Sequence, residues 1–139
     1  IYDNSIERII ESDNVEYVMQ RIRDNFISGS SCTIVLCGSE TPWRKYVDWE
    51  IKATLDKEHG LIGVNLPTNP ITSNGTYIVP NRLNDNIQSG YAVWTNWSHI
   101  LQNTAKLKDL IELAIKRPAA LIKNNRPMMS RNETPPARR

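Results

Sequence analysis

Two short runs of apolar residues constrain the fold of this chain more than any other feature. The first covers residues 32–37 and the second residues 61–66. Turn-forming residues bound each run, and continuous apolar character predicts strands buried on both faces, as in parallel sheets. Between the two runs, Val47 and Ile51 recur at helical spacing. The pattern therefore predicts two adjacent parallel strands in the interior of a sheet, joined by a crossover helix over residues 43–57.

The remaining segments extend this alternation of helices and strands. Apolar periodicity predicts one amphipathic helix over residues 13–27 and another over residues 107–115, which Pro118 ends or kinks. Residues 67–86 contain several Pro and Asn and predict a long loop with a short extended piece at residues 77–79. Strands buried on both faces need helices on both sides, so the sequence indicates an α/β fold.

Length and composition indicate a single globular domain. The chain has 139 residues, of which 40 % are hydrophobic. The longest apolar runs are far shorter than the roughly 20 residues needed to cross a bilayer, and no basic-then-apolar leader precedes them. We therefore expect a cytoplasmic protein without a membrane partner. Cys32 and Cys37 would lie on opposite faces of a strand, and neither His59 nor His99 stands at a metal-ligand spacing from them, so we expect reduced thiols and no metal site.

The charge distribution divides the chain at its C-terminal end. Residues 117–139 carry six Lys or Arg and one acid, although the net charge of the whole chain is only +2. We expect a domain over residues 1–124 and a basic, flexible tail over residues 125–139 that adds little to the core. A basic tail can also bind nucleic acid, but no second basic cluster supports that partner. Removing the tail should then leave thermal stability nearly unchanged.

The loop after the first strand is the best candidate for chemistry. Ligands of open α/β sheets bind beyond the carboxyl ends of the strands, which is where residues 38–43 lie. Thr41 suits the N-cap of the next helix, and Pro42 suits its first position. The N-terminus of that helix favours phosphate, and Arg44 and Lys45 add positive charge there.

Glu50 stands unusually close to the apolar stripe of the same helix. One interpretation is a carboxylate at the rim of the core, paired with a nearby base. The other is a carboxylate in a cleft between residues 38–43 and 67–86, which binds a hydroxyl group or stabilises positive charge on a sugar. Periodicity leaves both interpretations open, as it does for four tryptophans that could stack on a base or pack in the core. The bases considered for Glu50 are Lys45, Lys52 and Arg82, and the tryptophans are Trp43, Trp49, Trp94 and Trp97.

Three segments together resemble a known family. They are the strand and loop at residues 32–41, the helical stretch at residues 44–51 and the second strand at residues 60–64. A strand that ends in Gly, a loop that contains Thr and an Arg-x-x-Val-x-x-Glu-Ile helix make this chain similar to the TIR-like domain family that includes the NAD-consuming partner of Thoeris anti-phage systems. Residues 81–94 resemble the close of some members, and the likeness covers most of residues 12–114.

The resemblance implies a three-layer, flavodoxin-like TIR-like fold with a mainly parallel sheet. Family members begin with an additional strand and a polar loop that lines the pocket, and by this comparison the chain lacks its N-terminal strand. The catalytic glutamate of the family falls on Glu50, and an aromatic residue that often precedes it falls on Tyr46. The implied substrate-binding residues are Gly38, Ser39, Thr41, Arg44, Tyr46 and Trp49.

Active members of this family cleave the nicotinamide–ribose bond of NAD. The resemblance thus implies an NAD glycohydrolase or cyclase that makes an ADP-ribose-type signal, with NAD as substrate and no cofactor. A single carboxylate suits this reaction, because nicotinamide is a good leaving group and the ribose becomes an oxocarbenium-like cation. The alternative is a non-catalytic TIR-like module that binds a nucleotide or a protein. Expected partners are NAD or a related nucleotide and a second copy or an effector protein.

Overall fold

A computed structural model describes residues 32–102 and 105–134 of the chain. The helix expected over residues 13–27 and the question of an N-terminal strand lie outside these residues. Three strands and four α-helices follow in chain order. They are β1 (Cys32–Cys37), α1 (Lys45–Asp56), β2 (Gly60–Asn65), α2 (Asn81–Ser89), β3 (Val93–Asn96), α3 (Trp97–Gln102) and α4 (Ala105–Ile115), with short 3-10 helices at Thr41–Trp43 and Ala119–Leu121.

The strands form a parallel sheet in the order β1-β2-β3. Cys37 pairs with Asn65, and Asn65 pairs with Asn96, so the carboxyl ends of all three strands lie at one edge. The parallel pairing of the two apolar runs and the crossover through α1 confirm the prediction. The sequence interpretation did not identify β3.

Helices cover both faces of this sheet, which confirms the three-layer α/β architecture. On one face, α1 and α2 pack on Val35, Cys37 and Leu61 through apolar side chains such as Ile51 and Leu83. The other face belongs to α3 and α4. Its core consists of Ile62, Val64, Val93, Ile100 and Ala114.

The two predicted strands differ in burial. Every residue of β2 is buried, as expected for a strand between two neighbours. In β1, however, Leu36 is 49 % exposed. Within the part of the chain that the structure describes, β1 is the outer strand of the sheet, so its position there differs from the expected interior one.

The start of α1 also differs from the prediction. Thr41 and Pro42 belong to a short 3-10 helix, and Arg44 then adopts an extended conformation with φ −100° and ψ 122°. This extended residue ends the 3-10 helix, so α1 begins at Lys45 and its N-cap is Arg44 rather than Thr41.

A helix, α2, occupies the end of the stretch that was expected to be a loop. Pro80 precedes it, and Gly90 ends it with φ +88°, a conformation that favours glycine. Leu83 and Ile87, one turn apart, face the core. The extended piece expected near Tyr77 is limited to an isolated antiparallel bridge with Ile71.

The chain after α4 runs back along the outer side of α1. We call residues 122–134 the C-terminal strap. Its polar groups bind α2 first and then successive turns of α1, ending where Glu133 N–H donates to the Trp43 carbonyl at 2.8 Å. These contacts differ from the flexible tail that composition predicts, for the residues up to 134 that the structure describes. Among the described helices, none is both long and apolar enough to cross a membrane.

Candidate functional site

Glu50 lies in the middle of α1 and is only 8 % exposed. Thr54, one turn further along, is completely buried and ties this side of the helix to β1. Its hydroxyl oxygen lies 2.8 Å from Thr33 Oγ1 and donates to the Glu50 carbonyl at 2.9 Å. The Glu50–Thr54 side of α1 therefore faces β1 rather than solvent.

The level of Glu50 along β1 follows from this contact. Because α1 runs antiparallel to β1, one helical turn back from Thr54, about 6 Å, corresponds to roughly two strand residues beyond Thr33. Glu50 thus lies at about the level of Val35. A helical side chain leans toward the helix N-terminus, which here points toward the carboxyl edge of the sheet. The carboxylate is accordingly positioned between α1 and β1, below the loop that follows β1.

Burial changes the acidity of this carboxyl group. The loss of water around it raises the pKa of Glu50 from 4.5 to about 7. Near neutral pH the group is therefore present both as a carboxylate, which can stabilise positive charge, and as a carboxylic acid, which can donate a hydrogen bond. A carboxyl group that changes protonation state near its working pH is a frequent property of catalytic sites.

The turn at residues 38–41 is held by its own polar groups. Gly38 N–H donates to Thr41 Oγ1 at 2.9 Å, and the Thr41 hydroxyl in turn lies 3.2 Å from the Leu36 carbonyl. A Cβ atom at Gly38 would approach Thr68 Oγ1 to 3.0 Å, so a larger residue would press on the next loop. Ser39 is exposed at the tip of the turn. The turn therefore presents polar groups at the carboxyl edge in a defined conformation.

Two asparagines that sequence reasoning missed lie at the same edge. Asn65 ends β2, and Asn69 follows in the next loop; both are buried. Asn69 Nδ2 donates to Asn65 Oδ1 at 2.9 Å and is also 3.2 Å from the Ile78 carbonyl. The available signal was an Asn at the carboxyl end of a buried strand, where ligands of α/β folds bind.

The aromatic residues near Glu50 have packing roles. The indole of Trp49 is 2 % exposed and its Nε1–H donates to the Met129 carbonyl at 2.7 Å. The half-buried Tyr46 ring meets Trp49 edge to face with centroids 5.2 Å apart, and Lys45 Nζ lies over both rings. Of the two interpretations of Trp49, the arrangement therefore supports packing.

The base Arg82 does not pair with Glu50. It binds Asp48 through two hydrogen bonds, Nε to Oδ1 at 2.9 Å and Nη2 to Oδ2 at 3.3 Å, and is itself fully buried. Asp48 lies two residues, roughly 200° of helix rotation, before Glu50. Glu50 and Asp48 therefore face different sides of α1, and α2 lies on the Asp48 side. This differs from the expected cleft between residues 38–43 and 67–86.

The predicted site residues thus fall into two groups. One group lies at the carboxyl edge of the sheet or at the start of α1: Gly38, Ser39, Thr41, the half-buried N-cap Arg44 and Tyr46. Glu50 lies below this edge, and Trp49 turns away from it toward the C-terminal strap. Sequence reasoning did not identify Asp48, Arg82 or the strap as the groups that hold this helix, since their contacts are distant in the chain.

Comparison with known proteins supports the pattern of segments. The family model described as Thoeris protein ThsB, TIR-like domain, matches residues 1–71, just over half of the 139 residues. The matched range includes β1, the turn at residues 38–41, α1 with Glu50, and β2. No curated protein and no solved structure matches the chain.

Proposed function

Because the chain belongs to the family of the TIR-like domain of the Thoeris protein ThsB, we propose that it cleaves the nicotinamide–ribose bond of NAD. The family match confirms the resemblance found in the sequence, and with it the setting of anti-phage defence. The observation that carries the proposal is the buried Glu50 carboxyl group on the helix that follows the 38–41 turn.

The reaction needs a group that stabilises positive charge. The bond between ribose C1′ and the nicotinamide nitrogen breaks, and its electron pair leaves with nicotinamide. The ribose then carries an oxocarbenium-like charge, which a nearby carboxylate stabilises most strongly where water is excluded. Water that attacks C1′ and loses a proton gives ADP-ribose, whereas attack by an adenine nitrogen of the same molecule gives a cyclic product.

The other site residues have binding roles in this proposal. Ser39, Thr41 and the backbone of Gly38 offer hydrogen bonds to ribose hydroxyls or phosphate oxygens at the carboxyl edge. Arg44, at the N-cap of α1, supplies positive charge for the pyrophosphate. Tyr46 offers an aromatic surface, while Trp49 supports the helix from behind.

The test compares Glu50→Gln with the parent chain. Glutamine keeps the size and removes the charge, so we expect NAD turnover to fall by about two orders of magnitude or more, the effect of removing one charge-stabilising group. Nicotinamide release and the nucleotide products are followed by chromatography over a range of protein concentrations, because self-association is part of the proposal. Glu112→Gln is the matched control, since Glu112 is exposed on α4, on the opposite face of the sheet.

Equal turnover by Glu50→Gln and the parent would exclude a catalytic carboxylate. The second candidate is a non-catalytic module that binds a nucleotide or protein, and the burial of Glu50 and Trp49 favours it, since both present little surface to a ligand. Stabilisation of the parent by NAD in a thermal melt, with no nicotinamide released at any protein concentration, would support this module instead.

A further inference from the structure

The C-terminal strap grips the two residues that precede Glu50. Met129 N–H donates to Asp48 Oδ2 at 2.9 Å, and the Met129 carbonyl accepts the Trp49 Nε1–H at 2.7 Å. One strap residue therefore binds two successive side chains of α1 through its backbone. Since Glu50 is the next residue of that helix, its position depends on the turn that Met129 holds.

The strap also supplies the cap of α1. The first N–H groups of a helix need acceptors from outside the helix. For Lys45 N–H, that acceptor is Asn132 Oδ1 at 2.8 Å, from a residue 87 positions further along the chain. Glu133 N–H then donates to the Trp43 carbonyl at 2.8 Å, just before the helix begins. Two neighbouring strap residues thus fix where α1 starts.

Side chains of α2 hold the strap in place. Fully buried Arg82 donates to Asn124 Oδ1 at 2.9 Å and to the Pro127 carbonyl at 3.2 Å, in addition to its pair with Asp48. Asn86 binds both backbone groups of Lys123, donating to its carbonyl at 2.8 Å and accepting its N–H at 2.9 Å. The strap is therefore anchored at one end by α2 and binds α1 at the other.

We propose that the C-terminal strap positions the catalytic helix, with Asn132 and the backbone of Met129 as its positioning groups. The inference rests on the proposed function. The strap binds residues 43, 45, 48 and 49, which are the stretch of chain between the 38–41 turn and Glu50. Holding this stretch sets the distance between the groups that bind substrate and the carboxylate that stabilises the cation. Small displacements of such groups reduce turnover strongly.

The experiment removes the cap without touching the site. Asn132→Ala takes away the acceptor for Lys45 N–H, and Asn125→Ala, an exposed asparagine of the same strap, is the matched control. We expect Asn132→Ala to lower kcat for NAD about tenfold or more with KM changed less than about twofold. Asn132→Asp should restore most of the turnover, because aspartate caps helices as well as asparagine does. Asn125→Ala should behave as the parent chain.

Amide hydrogen exchange gives a readout that does not need activity. Exchange of the Lys45 amide should become faster in Asn132→Ala and not in Asn125→Ala. Trp49→Phe provides a second variant, which keeps an aromatic ring but removes the donor to Met129, and it should show the same selective loss of kcat. Faster exchange with unchanged kcat, or a rise in KM alone, would overturn the proposal.

A failure of the proposed function has a different signature. If the parent chain itself does not consume NAD, catalysis is excluded and the strap is judged by the titration of the Glu50 carboxyl carbon in NMR spectra. A loosened helix admits water, so the midpoint in Asn132→Ala and Trp49→Phe should move from about 7 toward 4.5, while Asn125→Ala stays with the parent. An unchanged midpoint in both variants would show that the strap does not position Glu50.

Discussion

Burial of the Glu50 carboxyl group couples the stability of the folded chain to pH. Because its pKa is about 7 when folded and 4.5 as the model value, the folded state binds the proton more tightly between these values. The free energy of unfolding should therefore fall as pH rises from about 4.5 to 7, by about 3 kcal/mol from this group. The loss is complete above the folded pKa, where the ionised carboxylate stays buried.

Urea unfolding at pH 5 and pH 8 measures this effect. Glu50→Gln cannot ionise, so the difference between the two pH values should be about 3 kcal/mol smaller in this variant than in the parent. The exposed Glu112→Gln variant should keep the full difference. A parent and a Glu50→Gln variant with the same pH dependence would mean that Glu50 is hydrated in solution.

At the scale of the elements, the buried pair of Asp48 and Arg82 joins α1 to α2. Its side chains are 5 % and 0 % exposed, whereas the pair of Asp85 and Arg126 has side chains 29 % and 42 % exposed. Arg82→Ala leaves a buried carboxylate without its counter-charge, so we expect a loss of about 3–5 kcal/mol in the free energy of unfolding. The matched Arg126→Ala variant should lose less than about 1 kcal/mol. Similar losses in urea unfolding would show that the Asp48 side chain becomes hydrated.

At the scale of the whole molecule, the strap reverses the expectation for the C-terminal end. Deleting residues 126–139 exposes the Trp49 indole and removes the N–H group that Met129 donates to Asp48. We therefore expect the free energy of unfolding to fall by at least about 2 kcal/mol, and the melting temperature with it. Calorimetry of the truncated and parent chains measures this, with deletion of residues 135–139 as control. A truncated chain as stable as the parent would restore the flexible tail.

Prediction from sequence succeeded where neighbouring residues carry the information. The apolar runs of β1 and β2 and the helical spacing of Val47 and Ile51 identified the parallel pair and its crossover, because these patterns repeat within one element. The helix α2 was missed, although Pro80 and Gly90 bound it and Leu83 lies one turn before Ile87. The many Asn residues between them outweighed a short apolar signal.

The sequence by itself determined the α/β class, the crossover helix and the position of Glu50 beside its apolar stripe. Only the tertiary structure decided which groups surround that helix, because they are distant along the chain. Asp48 and Arg82 are 34 residues apart, and Trp49 and Met129 are 80 apart. Periodicity reports contacts within a turn or a strand, whereas a polar residue reveals its partner only when the fold buries both and each must satisfy the other.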